Sequence, residues 1–404
     1  MRLQSFTKPY YFFFLVLPYG ISIGFANVVL PYFLIKNGFS VEATGTIAAI
    51  GIFSNVCRFL WGPVADITLS LRKWYWIGVL ACVATLFLLC FLPYDLKHTA
   101  LITSIVFLSQ VAATFVVLPL GGLMAIRIHA SKKGMVGGWY QAGNLGGVGF
   151  GGGAGLWLAT NYSIAMSGIF LCVVSLISSL VIFLITDVTT SSASTFKQAM
   201  QVMCKELLTM IKVPVLLFVI VLICMPIGTA SASYLWSAIA GEWHVEANTI
   251  ALITGALSGV ISALGCVIGG WIADKKGVWW AYLGSGALFA IVTLGMALLP
   301  YKSEVYITGV LGYSFCYGLI NAAFSALALY ATGTKLAATK YAMISSLANI
   351  PVVYVTYIDG WVHDRYGSKY MLATEALAAL VFVAMSLIAL QRLFAKKLVP
   401  TVID

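Results

Sequence analysis

Apolar runs of membrane-spanning length, separated by short polar segments, make up most of the chain. A helix that crosses a bilayer needs about 20 apolar residues, and runs of that kind, bounded by charges or turns, occur twelve times. The predicted spans cover residues 10–35, 41–65, 75–93, 99–126, 135–160, 164–187, 213–240, 246–273, 278–300, 304–331, 341–362 and 370–394. No stretch shows the alternation of apolar and polar residues that transmembrane β-strands require. The pattern therefore predicts an all-α polytopic membrane protein.

The second span carries a polar stripe on an otherwise apolar helix, which we expect to run without interruption to Asp66. At about 100° per residue, one face of this helix collects Gly51, Asn55, Arg58, Gly62 and Asp66. An arginine in hydrocarbon is costly and normally faces a protein interior or a water-filled path. Two kinds of partner for Arg58 remain open. One is structural, either Asp66 or a carbonyl group, and the other is an anionic group of a solute.

The composition agrees with a membrane protein. The chain is 61% hydrophobic and 9% charged, whereas soluble proteins carry about 25% charged residues. With the N-terminus inside, seventeen of the 23 Lys and Arg residues fall in inner segments and five in outer loops. This bias predicts an inner-membrane protein with both termini in the cytoplasm. It also explains the net charge of +10 without nucleic-acid binding. No small-residue cleavage site precedes the first span, so we expect no removed signal peptide.

The chain repeats itself at half its length. Gly62-Pro63-Val64-Ala65-Asp66 recurs as Gly270-Trp271-Ile272-Ala273-Asp274, and Asn144 and Gly155 recur as Asn349 and Gly360. Parallel repeats of this kind are typical of transporters built from two similar bundles. We therefore predict six-helix bundles over residues 1–187 and 213–404. Residues 188–212 join them, as a cytoplasmic linker that includes an amphipathic helix.

The two copies of G-x-x-x-D, followed by basic residues, resemble the signature loop of the major facilitator superfamily. The resemblance covers the whole chain, although Ile67-Thr68-Leu69 replaces the usual Arg-x-Gly after Asp66. It implies that the eleventh span adjoins Asp66 and the fifth adjoins Asp274. Each carboxylate would then meet the partial positive charge of a helix N-terminus and act as a latch on the inner mouth. The alternative is that each aspartate caps its own loop.

Glycines in the fifth span recur every fourth residue, at Gly143, Gly147, Gly151 and Gly155. Glycine costs about 1 kcal/mol in a helix, and small residues at this spacing let two helices approach closely in lipid. The eighth span offers Gly255 and Gly259 at the same spacing. Because the fifth and eighth helices cross in the superfamily, we expect these glycines to form a sliding seam between the bundles.

Polar residues inside the spans mark the candidate solute-binding site. They comprise Tyr19, Asn27, Arg58, Gln110, Gln141, Asn144, Tyr234, Tyr317, Asn321 and Asn349. Helices 1, 4, 7 and 10 line the cavity in the superfamily, which favours Tyr19, Gln110, Tyr234 and Tyr317. Hydrogen bonds between helices alone would also explain each of these residues.

The run Arg58-Phe59-Leu60-Trp61-Gly62-Pro63-x-x-Asp66 is similar to that of AmpG-type muropeptide permeases and acetyl-CoA transporters. Siderophore permeases of the RhtX/FptX kind are also similar. These relatives import large, often anionic, amide-rich solutes, generally driven by protons. The resemblance therefore implies a proton-coupled importer that works by alternating access. Glu375 is the candidate for proton coupling, whereas we expect Asp359 near the outer surface.

Other classes of protein fit the residues less well. A membrane enzyme would need converging His, Asp and Glu residues, but the four histidines fall in predicted loops. A non-transporting receptor or cofactor-delivery factor on the same scaffold remains open as the alternative function. The eight cysteines lack metal-binding spacing, so we expect no metal and no cofactor. The expected partners of the chain, which we take to be a monomer, are a small-molecule solute and the lipid bilayer.

Overall fold

The computed structural model describes residues 7–188, 196–246, 249–250, 252–333 and 336–395, and these residues contain helices and no strand. The long helices are α1 Tyr11–Lys36, α2 Val41–Cys57, α3 Leu71–Phe91, α4 Thr99–Arg127, α5 Lys133–Asn161, α6 Ile164–Ser179, α7 Pro214–Ile223, α8 Leu252–Lys276, α9 Val278–Leu298, α10 Ser303–Thr332, α11 Ala337–Tyr366 and α12 Ser368–Ala395. Within the described ranges, nine helices are long and apolar enough to cross a membrane. The predicted all-α polytopic fold is confirmed. A further helix, Phe196–Lys212, lies in the predicted linker.

The second span is interrupted next to its arginine. Helix α2 ends at Cys57, a 3₁₀ turn covers Arg58–Leu60, and a short helix runs from Gly62 to Ile67. Pro63 lies in the first turn of this short helix, where a residue without an N–H is tolerated. The prediction of one continuous helix to Asp66 is therefore wrong, and the pitch of the polar stripe changes at Arg58.

The seventh span is broken in its middle. Helix α7 covers only Pro214–Ile223, and the chain continues in short 3₁₀ and α turns as far as Trp243. Between them Gly228 has φ +65 and Ala230 has φ +54. The left-handed conformation at Ala230 is strained, at a cost of about 1 kcal/mol or more. The predicted uninterrupted span 213–240 is therefore wrong.

The chain divides into two compact units. Unit 1 comprises residues 1–128, 143–203 and 332–346, and unit 2 comprises 129–142, 204–331 and 347–404. Each unit therefore contains one short segment from the other half of the sequence. The domain boundaries proposed from the sequence, which follow the chain without this exchange, stay a prediction.

Each unit has its own apolar core. Phe25, Leu86 and Ile102 are among the buried residues of unit 1. Aromatic rings fill much of unit 2, where Trp243 packs edge-on against Tyr301 with ring centroids 4.7 Å apart. Large apolar side chains also cover the outside of the helices, for example Leu298, which is 74% exposed. Such exposure would disfavour a soluble protein and is what lipid-facing helices require.

Candidate functional site

Two aspartates, Asp66 and Asp274, each accept hydrogen bonds from the first turn of a distant helix. Asp66 Oδ2 accepts from the backbone N–H and the hydroxyl of Thr339, at 2.9 and 2.7 Å, in the first turn of α11. Asp274 accepts from the N–H groups of Gly134 at 2.6 Å and Met135 at 3.0 Å, in the first turn of α5. The free N–H groups of a helix N-terminus favour a negative charge. These are the neighbours implied by the family resemblance, while a latch function stays a prediction.

The two carboxylates differ in burial. Asp66 is 1% exposed, whereas Asp274 is half-buried. Both aspartates contact one of the two exchanged segments, residues 332–346 of unit 1 and 129–142 of unit 2. Asp66 contacts Thr339 in the first, and Asp274 contacts Gly134 in the second. Each contact therefore joins residues that are far apart in sequence, by 273 and 140 positions, within one compact unit.

A buried polar cluster in unit 1 contains several of the predicted solute-site residues. The Tyr19 hydroxyl donates to Asn55 Oδ1 at 2.8 Å. Gln110 Nε2 lies 3.4 Å from Ser22 Oγ, which lies 3.2 Å from Ser109 Oγ. The cluster joins helices α1, α2 and α4 through side chains alone. Tyr19 and Gln110 each take part in one of these contacts, but their role in solute binding stays a prediction.

Arg58 lies one helical turn from Asn55 and is only 8% exposed. Its Nε is buried without a partner. Within the described ranges the guanidinium forms no hydrogen bond, ion pair or cation–π contact with the protein. Asp66, the structural partner that the sequence suggested, instead accepts from Thr339. A buried guanidinium without a carboxylate is costly. A solute-binding role for Arg58 stays a prediction.

A second polar cluster, in unit 2, surrounds two buried carboxylates. Asp359 on α11 is 0% exposed and Glu375 on α12 is 3% exposed. The hydroxyl of Ser231, in the break after α7, contacts Asp359 Oδ2 and lies 2.9 Å from Glu375 Oε1. Tyr313 from α10 donates to Glu375 at 2.9 Å, and Thr229 lies 3.4 Å from it. Asp359 is therefore buried in the protein, while its expected place near the outer surface stays a prediction.

A third ionisable group lies beyond this cluster, one turn further along α11. His363 Nε2 lies 2.9 Å from Glu242 Oε1, which also accepts from the Ser368 hydroxyl at 2.7 Å. Burial raises the pKa of Glu242, but the hydrogen bonds from Ser368 and His363 outweigh burial and hold that pKa below its usual value. His363 lies in the last turn of a helix, so its predicted position in a loop is wrong.

The remaining candidates are dispersed. Gln141 donates to Ser325 Oγ at 2.8 Å in unit 2, and Asn321 donates to the Tyr317 carbonyl one turn back on its own helix, at 2.9 Å. Asn27 and Tyr234 are exposed. Asn144 and Asn349 are half-buried and take part in further contacts. A solute role for each of these residues stays a prediction.

The glycines of the fifth span pack against a different helix from the one expected. A Cβ on Gly151 would lie 2.5 Å from the Ile21 carbonyl oxygen, and one on Gly147 would lie 3.1 Å from Gly20 Cα. A Cβ on Gly143 would likewise contact Phe13, and one on Gly155 would contact Val29 and Leu171. The close partner of these four glycines is therefore chiefly α1, while the expected seam with α8 stays a prediction. A backbone that presses directly on a neighbouring backbone leaves no room for a side chain.

Contact with α8 is instead made by glycines at the start of α5. A Cβ on Gly138 would lie 2.6 Å from the Cys266 carbonyl oxygen and 3.0 Å from Gly270 Cα. On α8 itself, a Cβ on Gly255 would meet no described atom within 4 Å. Gly255 therefore lies in open space, while a seam role for Gly259 stays a prediction.

The residues missed by the sequence analysis are Asp359 as a partner of Glu375, and Thr229. The sequence nevertheless contains a signal for the pairing of Asp359 with Glu375. Gly367, with φ +84, separates α11 from α12, and the two carboxylates lie eight residues before it and eight after it. Residues equally distant from a tight turn between antiparallel helices lie at the same level, so this spacing favours contact between the two acids.

The described helices and the buried polar clusters define a multi-pass membrane protein of the transporter class. The chain belongs to the Major Facilitator Superfamily, whose family model matches residues 12–356. In structure it is similar to the human organic anion transporter MFSD10 (TETRAN), with a TM-score of 0.72 and 12% sequence identity. The similarity covers 94% of this chain and 98% of that one and shows a shared fold. No curated protein matches the sequence.

Proposed function

We propose that the protein is a secondary active transporter that imports a sizeable anionic, amide-rich solute across the inner membrane by alternating access, coupled to protons. A muropeptide, an acyl-CoA and a siderophore are the candidate solutes implied by the resemblance around Arg58. The structural neighbour described as an organic anion transporter agrees with an anionic solute. It supports no finer choice, because the sequence identity is low.

One observation carries the anionic part of this proposal. Arg58 is buried, charged and without a protein partner within the described residues, next to the hydrogen-bonded pair of Tyr19 and Asn55. A guanidinium can bind a carboxylate or phosphate through two parallel hydrogen bonds. Such a bond offsets the cost of burying the charge, so binding an anion would complete this site.

Thermal unfolding of the purified protein, with and without solute, tests the role of Arg58. The solutes are an anhydromuropeptide, acetyl-CoA and a ferric carboxylate siderophore. An Arg58→Met variant should unfold at the same temperature as the wild type or higher without solute, because an unpaired buried charge is removed. Its affinity for the bound anion should fall about tenfold or more, because hydrogen bonds to charged groups contribute about 1.5–3 kcal/mol.

Arg127→Met is the matched control, since the Arg127 guanidinium donates to the Asp187 carbonyl at 2.7 Å. This variant should lower the unfolding temperature and leave the solute-induced shift unchanged. An undiminished shift in Arg58→Met would remove Arg58 from the binding site. Uptake of the same solutes into proteoliposomes then separates a transporter, which accumulates solute, from a receptor, which only binds it.

Membrane topology is tested by the labelling of exposed residues. Single cysteines at Lys132 and Lys276 should react with an impermeant reagent only from the cytoplasm, and one at Lys97 only from outside, because of the Lys and Arg distribution. All three positions are exposed. The native Cys204 on the linker helix is also exposed and gives a cytoplasmic reference. Labelling of positions 97 and 132 from the same side would contradict the proposed orientation.

A further inference from the structure

The buried carboxylates Asp359 and Glu375 share one hydroxyl group. Ser231 Oγ contacts Asp359 Oδ2 and Glu375 Oε1 at the same time. A hydroxyl carries a single hydrogen and can donate to only one of two acceptors. The other contact is a hydrogen bond only if a carboxylic acid donates its own proton to Ser231 Oγ. Two full hydrogen bonds at Ser231 therefore favour a state in which one of the two acids is neutral.

The distribution of donors decides which acid is neutral. Glu375 lies within hydrogen-bond distance of the hydroxyls of Tyr313 and Ser231. The Thr229 hydroxyl lies 3.4 Å from Glu375 Oε1 and 3.3 Å from Ser231 Oγ. Asp359 has only the contact with Ser231, and its Oδ1 is buried with no partner among the described residues. Hydrogen bonds from several donors stabilise an ionised carboxylate. A neutral acid leaves an unpaired carbonyl oxygen, which costs far less than an unpaired buried charge.

Among the described residues, no positive charge compensates the pair. Within the described part of the chain, neither acid forms an ion pair with Lys, Arg or His, and His363 on the same helix binds Glu242. From α10, Tyr313 donates to Glu375, and its ring packs on Phe289 of α9 with centroids 4.4 Å apart. Two negative charges across one hydroxyl would repel each other strongly at this burial. A bound proton removes that repulsion.

We propose that Asp359 is a proton-binding residue, held as a carboxylic acid that donates to Ser231, while Ser231 donates to ionised Glu375. Transfer along this chain breaks the Asp359 O–H bond and forms a bond from that hydrogen to Ser231 Oγ. The original Ser231 hydrogen moves to Glu375 Oε1 at the same time. The cluster keeps one proton and one negative charge throughout, so Ser231 acts as the relay and Glu375 as the second proton acceptor.

The proposed relay residue, Ser231, lies at the break in the seventh span. Ser231 follows directly after Ala230, whose φ of +54 is strained, and after Gly228 with φ +65. Discontinuous helices in transporters commonly place such groups at ion-binding sites. Loss of the proton would leave two carboxylates facing Ser231 and would favour a different conformation of the break. A coupling role rests on the proposed transport function, whereas protonation is measurable without any solute.

Infrared difference spectroscopy of the full chain tests the assignment, because a neutral carboxylic acid has a C=O stretching band separate from the amide bands. The protein is kept in dodecyl maltoside, which contains no carbonyl group. At mildly acidic pH the wild type and Glu375→Gln should show the band, and Asp359→Asn should have lost it. Asp66→Asn is the matched control, since that buried carboxylate accepts an N–H and should be ionised. It should leave the band unchanged.

Other results would overturn the proposal. A band that survives in Asp359→Asn and disappears in Glu375→Gln would place the proton on Glu375. A wild type without the band would mean that both acids are ionised. A band present in choline chloride but lost in sodium chloride at the same pH would indicate an alkali-cation site instead.

Ser231→Ala covers the case in which Asp359→Asn does not fold. Removal of the hydroxyl leaves the acid without its hydrogen-bond acceptor, so the band should move to higher wavenumber, and an unshifted band would contradict the relay. These spectra need no solute. Failure of the proton site and failure of the anion-transport proposal are therefore observed separately.

Discussion

Replacing Asp66 with asparagine should speed amide hydrogen exchange at the start of α11, over Ala337–Leu347, by about fivefold. The side chain keeps its shape but loses the charge that faces the helix N-terminus, a contact that contributes about 1 kcal/mol. Asp66→Ala should have a larger effect, because the Thr339 N–H is then left without its buried acceptor, at a cost of about 1–3 kcal/mol. Hydrogen–deuterium exchange followed by mass spectrometry measures both variants.

The second aspartate provides the matched comparison. Asp274→Asn should speed exchange at the start of α5, around Gly134 and Met135, and leave α11 unchanged. Asp364→Asn removes an exposed carboxylate, 82% accessible, and should change neither segment. Faster exchange limited to the loop after Asp66, with α11 unaffected, would show that this aspartate only caps its own loop.

Replacing Gly151 with leucine should abolish transport and strongly lower the unfolding temperature, while the chain still inserts into the membrane. Even the Cβ would lie 2.5 Å from the Ile21 carbonyl oxygen and 2.6 Å from Ile21 Cα. These are backbone atoms, which cannot rotate away, so α1 and α5 must separate. Overpacking typically costs about 1–3 kcal/mol and more when no atom can yield. Uptake into proteoliposomes and unfolding in detergent measure the two effects.

Gly284→Leu is the control, because a Cβ at that position of α9 meets no described atom within 4 Å. It should behave like the wild type. Gly151→Ala should fall between the wild type and Gly151→Leu. Normal stability of Gly151→Leu would show that this glycine faces open space rather than α1.

The sequence predicted some of these features and missed others for physical reasons. Apolar length and basic loops identify spans because lipid imposes both. The break after α7 has a signal in Pro226 and Gly228, which disfavour a continuous helix, but counting apolar length alone passes over it. The polar stripe correctly marked Arg58 as buried, yet only the structure shows that Asp66 bonds elsewhere.

The glycine pattern of the fifth span also predicts less than the structure shows. Spacing of four residues predicts a close approach between helices, but it does not say which helix approaches. The spacing of Asp359 and Glu375 from Gly367 is more informative than the glycine pattern. Both acids lie eight residues from the turn, so the hairpin itself names the partner. The pairing of these two acids is therefore a feature that the sequence itself contains.

Because each compact unit includes a segment from the other half of the chain, we expect neither half to fold stably without the other. A fragment covering only the first half would contain Asp66 without Thr339, and the complementary fragment would contain Asp274 without Gly134. Co-expressed fragments, cut in the linker, should therefore rescue each other, whereas single fragments should be degraded. Each repeat therefore supplies a helix N-terminus that binds a carboxylate of the other repeat.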